Sequence, residues 1–348
     1  MNNLNETIKG IKGLDEKVMK KAKERVDNLI KPPGSLGRLE EISIHLSGIT
    51  GKLHPKVDNK SVIVFAADHG VYEEKVAAFD QSVTVIQTEN FIKGVTGVCA
   101  LAKQAKADVI AVDVGIKKDL NLEGIINRKI KYGTFNMAKG AAMTKEEAIK
   151  SIEVGIEIAN KEIDKGKNIL ATGEMGICNT TPSSAIVSVI GGYEPSLVTG
   201  VGANYPKDKL DHKANVIKKA IEINKPNKED AIDILSKVGG LEIGAMAGVM
   251  LQGANRRVPV VVDGFISTAA ALIACKIEPK CRDFLIPSHF SKEKAAKIAS
   301  DLLELKPMLK MDMRLGEGSG AVLMFNLIEA ATYMNDEMIT FKEASIEV

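Results

Sequence analysis

Short runs of β-branched and apolar residues recur along the middle of the chain, and most end in glycine or a polar cluster. In SVIVFAADHGV at 61–71, for example, Asp68 and His69 follow the apolar residues directly. A continuous apolar run of this length is typical of a strand buried on both faces of a parallel sheet. The segments that fit this pattern, and are predicted to be strands, are 61–71, 108–116, 168–176, 195–203, 258–265 and 283–291.

Longer stretches of helical periodicity, such as 145–163 and 211–223, separate the predicted strands. Alternation of strands and helices indicates βαβ units, so we expect an α/β fold with a largely parallel sheet covered on both faces. The sheet is expected to occupy a large domain at 60–300. The segments 1–59 and 301–348 are predicted to form a second, helical layer or small domain.

The first of these terminal segments carries apolar residues at helical spacing up to Leu29. Pro32, Pro33 and Gly34 then break the helix, and Ser35 or Gly37 is expected to start another one.

Charge and composition exclude several classes of function. The 348 residues include 47 basic and 45 acidic side chains, a formal net charge of +2, and the basic residues mostly alternate with acids. No polybasic surface for nucleic acid or membrane is therefore expected. Aromatic residues make up only 4% of the chain and tryptophan is missing, which disfavours a platform for stacking single-stranded bases.

The four cysteines are isolated from one another, and neither they nor the histidines show metal-binding spacing. We therefore expect no metal and no cofactor. The N-terminal residues lack an apolar signal region and no apolar run reaches membrane-spanning length, so a cytoplasmic location is expected.

The segment RLGEGSGA at 314–321 places one carboxylate, Glu317, between Gly316 and Gly318. Glycine admits positive φ and close approach of a ligand, so this carboxylate can be held against a substrate and accept a proton from it. Alternatively the segment is only a helix-capping turn, with Glu317 favouring the N-terminus of the helix that follows.

A second candidate is GEMGICNTTPSSAIVSVI at 173–190, where a predicted strand leads through glycines into a helix. Thr181 is a plausible N-cap and Pro182 a suitable first helical residue. A phosphate could then bind at the helix N-terminus near residues 176–181, with Gly176 and Thr180 among the binding residues, although an ordinary capped helix fits the same pattern. Because Glu174 would repel a phosphate, we expect it to face another part of the same ligand.

The stretch 198–213 is a second glycine-rich turn, and Lys213 behind it could neutralise a phosphate. Tyr205 occupies the position of the third glycine of a dinucleotide fingerprint, and no P-loop motif occurs, so a mononucleotide-like phosphate is better supported than NAD or ATP. Asp263, at the end of another predicted strand, could accept a hydrogen bond from a ribose hydroxyl or merely cap a helix.

Taken together, these motifs closely resemble the nicotinate-nucleotide–dimethylbenzimidazole phosphoribosyltransferase family, which acts in assembling the lower ligand of cobalamin. The segments that carry the resemblance over nearly the whole chain are 31–40, 67–71, 172–181, 263–272 and 314–321. The resemblance implies a Rossmann-like sheet with a small helical domain from both chain ends, a homodimer, and an active site at the carboxyl ends of the strands.

The resemblance also implies individual roles. Glu317 would be the general base and Glu174 a second active-site acid. The donor phosphate would lie on Gly176 and Gly202 with Lys213 near, and the aromatic base near Gln87, Leu315 and Ser291. The implied substrates are nicotinate mononucleotide and 5,6-dimethylbenzimidazole or a related base.

Other functions remain open at this stage. The same reaction could use adenine, a phenol or another benzimidazole, since Val201 stands where the family often has arginine and the stretch 78–84 also varies. A non-catalytic nucleotide-binding module with the same fold is a second alternative.

Overall fold

The computed structural model describes residues 3–347 and contains one parallel sheet flanked by helices. Strands β1 to β6 span, in chain order, Lys60–Ala67, Ala107–Gly115, Ile126–Asn127, Ile169–Met175, Val260–Val262 and Leu285–Pro287. Their spatial order is β3-β2-β1-β4-β5-β6, and every neighbouring pair is parallel. The fold is therefore the Rossmann-like α/β class expected from the sequence.

Helices alternate with the strands along the chain. In chain order, α1 to α14 span Asn3–Gly10, Glu16–Asp27, Arg38–Thr50, Ser82–Lys93, Gly97–Ala105, Lys145–Asp164, Thr180–Gly191, Pro195–Val198, Leu210–Asn224, Ala231–Val238, Leu241–Arg256, Phe265–Ile277, Ala296–Leu302 and Ser319–Glu337.

Both faces of the sheet are buried, and alternate residues of each strand point to opposite layers. Ile63 and Phe65 of β1 belong to the cluster that includes α6, α11 and α12, whereas Val62 and Val64 pack with α3, α5 and α14. All eight residues of β1 are buried, which explains why this strand reads as a continuous apolar run.

The sequence prediction was wrong at 195–203, which holds no strand. Pro195–Val198 is instead the short helix α8, and a loop follows it. Proline lacks a backbone N–H and has a fixed φ, so it suits the first turn of a helix better than a central strand. Conversely, β3 was missed because it is a two-residue edge strand.

The chain termini pack on the rest of the molecule through specific contacts. The Arg25 guanidinium donates to the carbonyl oxygens of Asn335 and Met338, which ties α2 to the end of α14. Helix α3 begins after Gly37, as expected. The division into a domain at 60–300 and a helical domain from 1–59 and 301–348 stays a prediction. In the part of the chain that the structure describes, no helix is long and apolar enough to cross a membrane.

Candidate active site

A cavity of about 310 Å³ opens at the carboxyl ends of β4, β5 and β6, beneath the segment 314–318. Nine of the ten residues that the sequence singled out line it, namely Gln87, Glu174, Gly176, Thr180, Gly202, Asp263, Ser291, Leu315 and Glu317. The tenth, Lys213, lines an adjoining hollow that shares Gly176 and Thr180 with this cavity. The topology thus brings together residues that lie up to 230 positions apart in the chain.

The Glu317 carboxylate is buried and fixed by two donors from different elements. Its Oε1 accepts from Gln87 Nε2 at 2.6 Å and its Oε2 from the backbone N–H of Val98 at 3.1 Å. Val98 lies in the first turn of α5, where the free N–H groups of a helix favour a negative charge. Each oxygen keeps a lone pair, so the carboxylate can accept a proton from a ligand in the cavity.

The backbone of this segment explains its glycines. Glu317 itself has a φ of +64°, which non-glycine residues rarely adopt, so the loop holds it in a strained conformation. A Cβ on Gly316 would lie 2.3 Å from Glu174 Oε1. Glycine at 316 therefore lets the two acidic residues approach each other.

Asp263 holds the same segment from below. Its carboxylate accepts from the backbone N–H groups of Gly318, Gly320 and Ala321 at 3.2, 2.8 and 3.0 Å. The sequence left open whether Asp263 binds ribose or caps a helix, and the structure shows it at the N-terminus of α14, a helix remote in sequence. Burial raises the pKa of Asp263, and the nearby His289 and the N–H groups of Ala321 and Gly320 oppose that effect.

Glu174 is buried beside the Glu317 backbone. Its Oε1 accepts from the Glu317 N–H at 3.4 Å, and its Oε2 accepts from the Asn179 side-chain amide. Burial raises the pKa of Glu174 to about 8, with the nearby Asp263 and Glu242 adding to the rise and the Asn179 amide opposing it. At neutral pH this side chain is therefore mostly uncharged.

The N-terminus of α7 forms a candidate phosphate cradle. The helix begins at Thr180 with Asn179 as N-cap, so the expected cap at Thr181 was wrong by two residues. The Asn179 side chain does not cap the helix, because it turns to Glu174.

Lys213 closes this cradle from behind. Its Nζ donates to Thr180 Oγ1 at 2.8 Å and to the Gly200 carbonyl at 3.2 Å. Burial lowers the pKa of Lys213 to about 8, and the negative charge of Glu293 counteracts the shift. Gly202 has a φ of +51°, and a Cβ there would lie 2.8 Å from Thr180 Oγ1, so only glycine fits.

Much of the cavity lining is apolar. Phe79, Val83, Ile177, Phe265 and Leu315 line the cavity, with Gln87 and Ser291 among its polar groups. Flat apolar walls with few polar groups suit an aromatic heterocycle.

Sequence reasoning missed several residues of the site. Val98 contributes only a backbone N–H, and Asn179 was noted as part of a helix start rather than as a partner of Glu174. Arg314 donates to the Gly202 carbonyl at 3.3 Å and to Asn204 Oδ1 at 2.8 Å, joining two loops over the cavity. Glu293 had no distinguishing signal in its surrounding residues.

Acidic side chains outnumber basic ones around the cavity. Glu174, Asp263, Glu293 and Glu317 line it, against the cationic Arg314 in the lining and Lys213 behind the cradle. At neutral pH the mostly uncharged Glu174 adds little negative charge, and Glu293 lies near Lys213.

The chain is an α/β phosphoribosyltransferase, because residues 11–346 match the model of a family described as phosphoribosyltransferase. It is 58% identical over the full length of both chains to a nicotinate-nucleotide–dimethylbenzimidazole phosphoribosyltransferase of Alkaliphilus metalliredigens (strain QYMF). It is 55% identical to the enzyme of that name from Clostridioides difficile (strain 630), over 99% of each chain.

A solved structure of a protein of that name, from Thermus thermophilus, superposes with a TM-score of 0.91 at 38% identity. The match covers 96% of this chain and all of that one. The chain therefore belongs to the nicotinate-nucleotide–dimethylbenzimidazole phosphoribosyltransferase family, which confirms the resemblance drawn from its motifs.

Proposed function

We propose that this protein transfers the 5-phosphoribosyl group of nicotinate mononucleotide to 5,6-dimethylbenzimidazole. The products are α-ribazole 5′-phosphate and nicotinate, in the assembly of the cobalamin lower ligand. The observation that carries the proposal is the buried Glu317 carboxylate, which faces a cavity shared with the Thr180–Lys213 cradle. A base and a phosphate anchor in one cavity are what transfer to a heterocyclic nitrogen requires.

In the proposed mechanism one imidazole nitrogen of the acceptor attacks the anomeric carbon of the donor. The bond from that carbon to the pyridinium nitrogen breaks, and its electron pair stays on nicotinate, which leaves with an uncharged ring nitrogen. The acceptor's other nitrogen gives its proton to Glu317. A single displacement converts the β-linked donor into an α-linked product, and no acid is needed for the leaving group.

Glu174 has a second role in the proposal. Its pKa of about 8 falls when the positively charged ring nitrogen of the donor binds beside it, because an adjacent positive charge favours the carboxylate. The carboxylate then stabilises the positive charge that develops on the ribosyl ring. Donor binding near pH 7.5 should therefore release a proton. Calorimetry in buffers of different ionisation enthalpy would detect that release, and Glu174→Gln should abolish it.

The proposed function is tested by incubating the protein with nicotinate mononucleotide and a panel of bases, with products identified by mass. Equimolar nicotinate and α-ribazole 5′-phosphate are expected with dimethylbenzimidazole. Faster turnover of adenine or a phenol would reassign the acceptor. Donor binding without nicotinate release under every base would indicate a non-catalytic module.

We also propose that the protein is a cytoplasmic homodimer. Several large apolar side chains on and around α4 are exposed, namely Phe79, Ile86, Ile92, Val95 and Leu122. Light scattering should give about twice the chain mass of 37.4 kDa, and a monomeric mass would contradict the proposal.

A further inference from the structure

The loop after β6 buries a carboxylate for which the fold supplies no partner. Glu293 is 8% exposed, and within residues 3–347 neither of its carboxylate oxygens has a hydrogen-bond partner. A buried acidic group without partners is costly, so it calls for an explanation in terms of function.

Glu293 lies at the phosphate end of the cavity. It lines the same cavity as Thr180, Gly202 and Ser291, and a Cβ added to Gly200 would lie 2.2 Å from its Oε2. The carbonyl of Gly200 is in turn a partner of Lys213. Glu293 therefore lies beside Gly200, whose carbonyl accepts the hydrogen bond from Lys213 behind the cradle.

Lys213 does not satisfy this carboxylate. Its ammonium donates to Thr180 and Gly200, and the charge of Glu293 acts on it without a hydrogen bond between them in the described structure. A bound phosphate cannot satisfy Glu293 either, because both groups are negatively charged and both accept hydrogen bonds.

The ribose of a donor would supply the missing hydrogen-bond donors. A ribose 5-phosphate group places two neighbouring hydroxyls a short distance from its phosphate, and a carboxylate can accept one hydrogen bond on each oxygen. We propose that Glu293 accepts hydrogen bonds from the ribose hydroxyls of the donor and makes the site selective for ribose over deoxyribose. This inference rests on the proposed function for the identity of the donor.

The loop that carries Glu293 is itself held in place. The Glu293 N–H faces Ser291 Oγ at 3.4 Å, and Ser291 lies against Gly264 at the end of β5. The backbone at Glu293 is therefore ordered and its side chain buried before a ligand arrives, which lowers the cost of ordering on binding.

The test compares equilibrium binding of nicotinate mononucleotide with its 2′-deoxy and 3′-deoxy analogues, measured by calorimetry without acceptor. For wild type, we expect at least one analogue to bind about 10- to 100-fold more weakly, the usual range for a hydrogen bond to a charged group. In Glu293→Ala this preference should shrink to within about threefold. Glu293→Gln preserves shape and volume, so it should fold like wild type and lose part of the preference.

Glu337→Gln, at an exposed position at the end of α14, is the matched control and should keep the wild-type preference. Equal preferences in wild type and Glu293→Ala would overturn the inference. So would a uniform change in affinity for all three ligands and for inorganic phosphate, which would make Glu293 only a counter-ion of Lys213.

The same comparison with ribose 5-phosphate and 2-deoxyribose 5-phosphate separates the two proposals. Failure of nicotinate mononucleotide to bind would count against the proposed function. If wild type binds both pentose phosphates equally, and binds the 3′-deoxy analogue as tightly as nicotinate mononucleotide, the proposed role of Glu293 in binding the ribose hydroxyls would be wrong.

Discussion

The carboxylate of Glu317 shows how far single residues could be read from the sequence. Its flanking glycines marked the loop, and the family resemblance gave Glu317 its expected role. The partners that fix the side chain, Gln87 Nε2 and the Val98 N–H, come from segments more than 200 positions away. A backbone donor leaves no trace in residue type, so Val98 could be found only from the fold.

Replacing the base tests this residue directly. Glu317→Gln keeps the size of the side chain but cannot accept the proton, so kcat should fall about 10²- to 10⁴-fold. Donor affinity should stay within about threefold, since the cradle is untouched. Steady-state kinetics and calorimetry measure both quantities, and unchanged turnover would refute the assignment.

The raised pKa of Glu174 makes a prediction about stability. Between the ordinary pKa of 4.5 and the folded value of about 8, the folded state binds a proton that the unfolded state does not. The free energy of unfolding therefore falls as pH rises through this window, by up to about 1.4 kcal/mol per pH unit.

Glu174→Gln removes this dependence on pH. Between pH 5 and pH 9 the free energy of unfolding should fall less in the variant than in wild type, as measured by urea unfolding at both pH values. An identical pH dependence in the two proteins would show that Glu174 titrates normally.

At the scale of elements, apolar pattern predicted the long strands well because β1, β2 and β4 are buried along most of their length. Pattern failed where an element is short. The segment 195–203 was predicted as a strand, but Pro195–Val198 forms one helical turn, and β3 is defined only by its pairing with β2. The N-cap of α7 is Asn179 rather than Thr181, and its side chain binds Glu174 instead of capping the helix, which the residue types at the helix start did not indicate.

The Asp263 carboxylate joins the end of β5 to the start of α14. Asp263→Asn leaves a single acceptor oxygen for three backbone N–H groups, so the free energy of unfolding should fall by about 1–3 kcal/mol. Because these groups hold the loop of Glu317, kcat should fall as well. Urea unfolding and kinetics measure the two effects. Asp301→Asn, at the exposed end of α13, is the control and should be neutral. Wild-type stability in Asp263→Asn would show that the anchor contributes nothing.

For the whole molecule, the sequence indicated which edge of the sheet carries the site because parallel strands all end on one side. The separate motifs therefore had to converge. The distances between the site residues, the contacts of Arg314 over the cavity and the lack of a partner for Glu293 depend on loop conformation, which no local pattern encodes.

The Arg314 side chain joins its own loop, which carries Glu317, to the loop of Gly202 beside the phosphate cradle. Since the side chain is exposed, Arg314→Ala should change the melting temperature by no more than about 2 °C, in keeping with the small energies of surface contacts. The KM of both substrates should rise several-fold because the two loops lose their connection. Calorimetry and kinetics test this, with Arg38→Ala, at another exposed arginine, as the control. Unchanged KM values would mean that the loops hold their places independently.

The hydrogen bond from the Glu317 N–H to Glu174 has a consequence for how the two substrates influence each other. A donor whose positively charged ring nitrogen ionises Glu174 makes this bond charge-assisted and steadies the peptide that carries Glu317. Thermodynamic linkage then makes the effect mutual: if bound donor raises the affinity for the acceptor, bound acceptor must raise the affinity for the donor by the same factor. Each substrate should bind more weakly to the free protein than to the protein that already holds the other substrate.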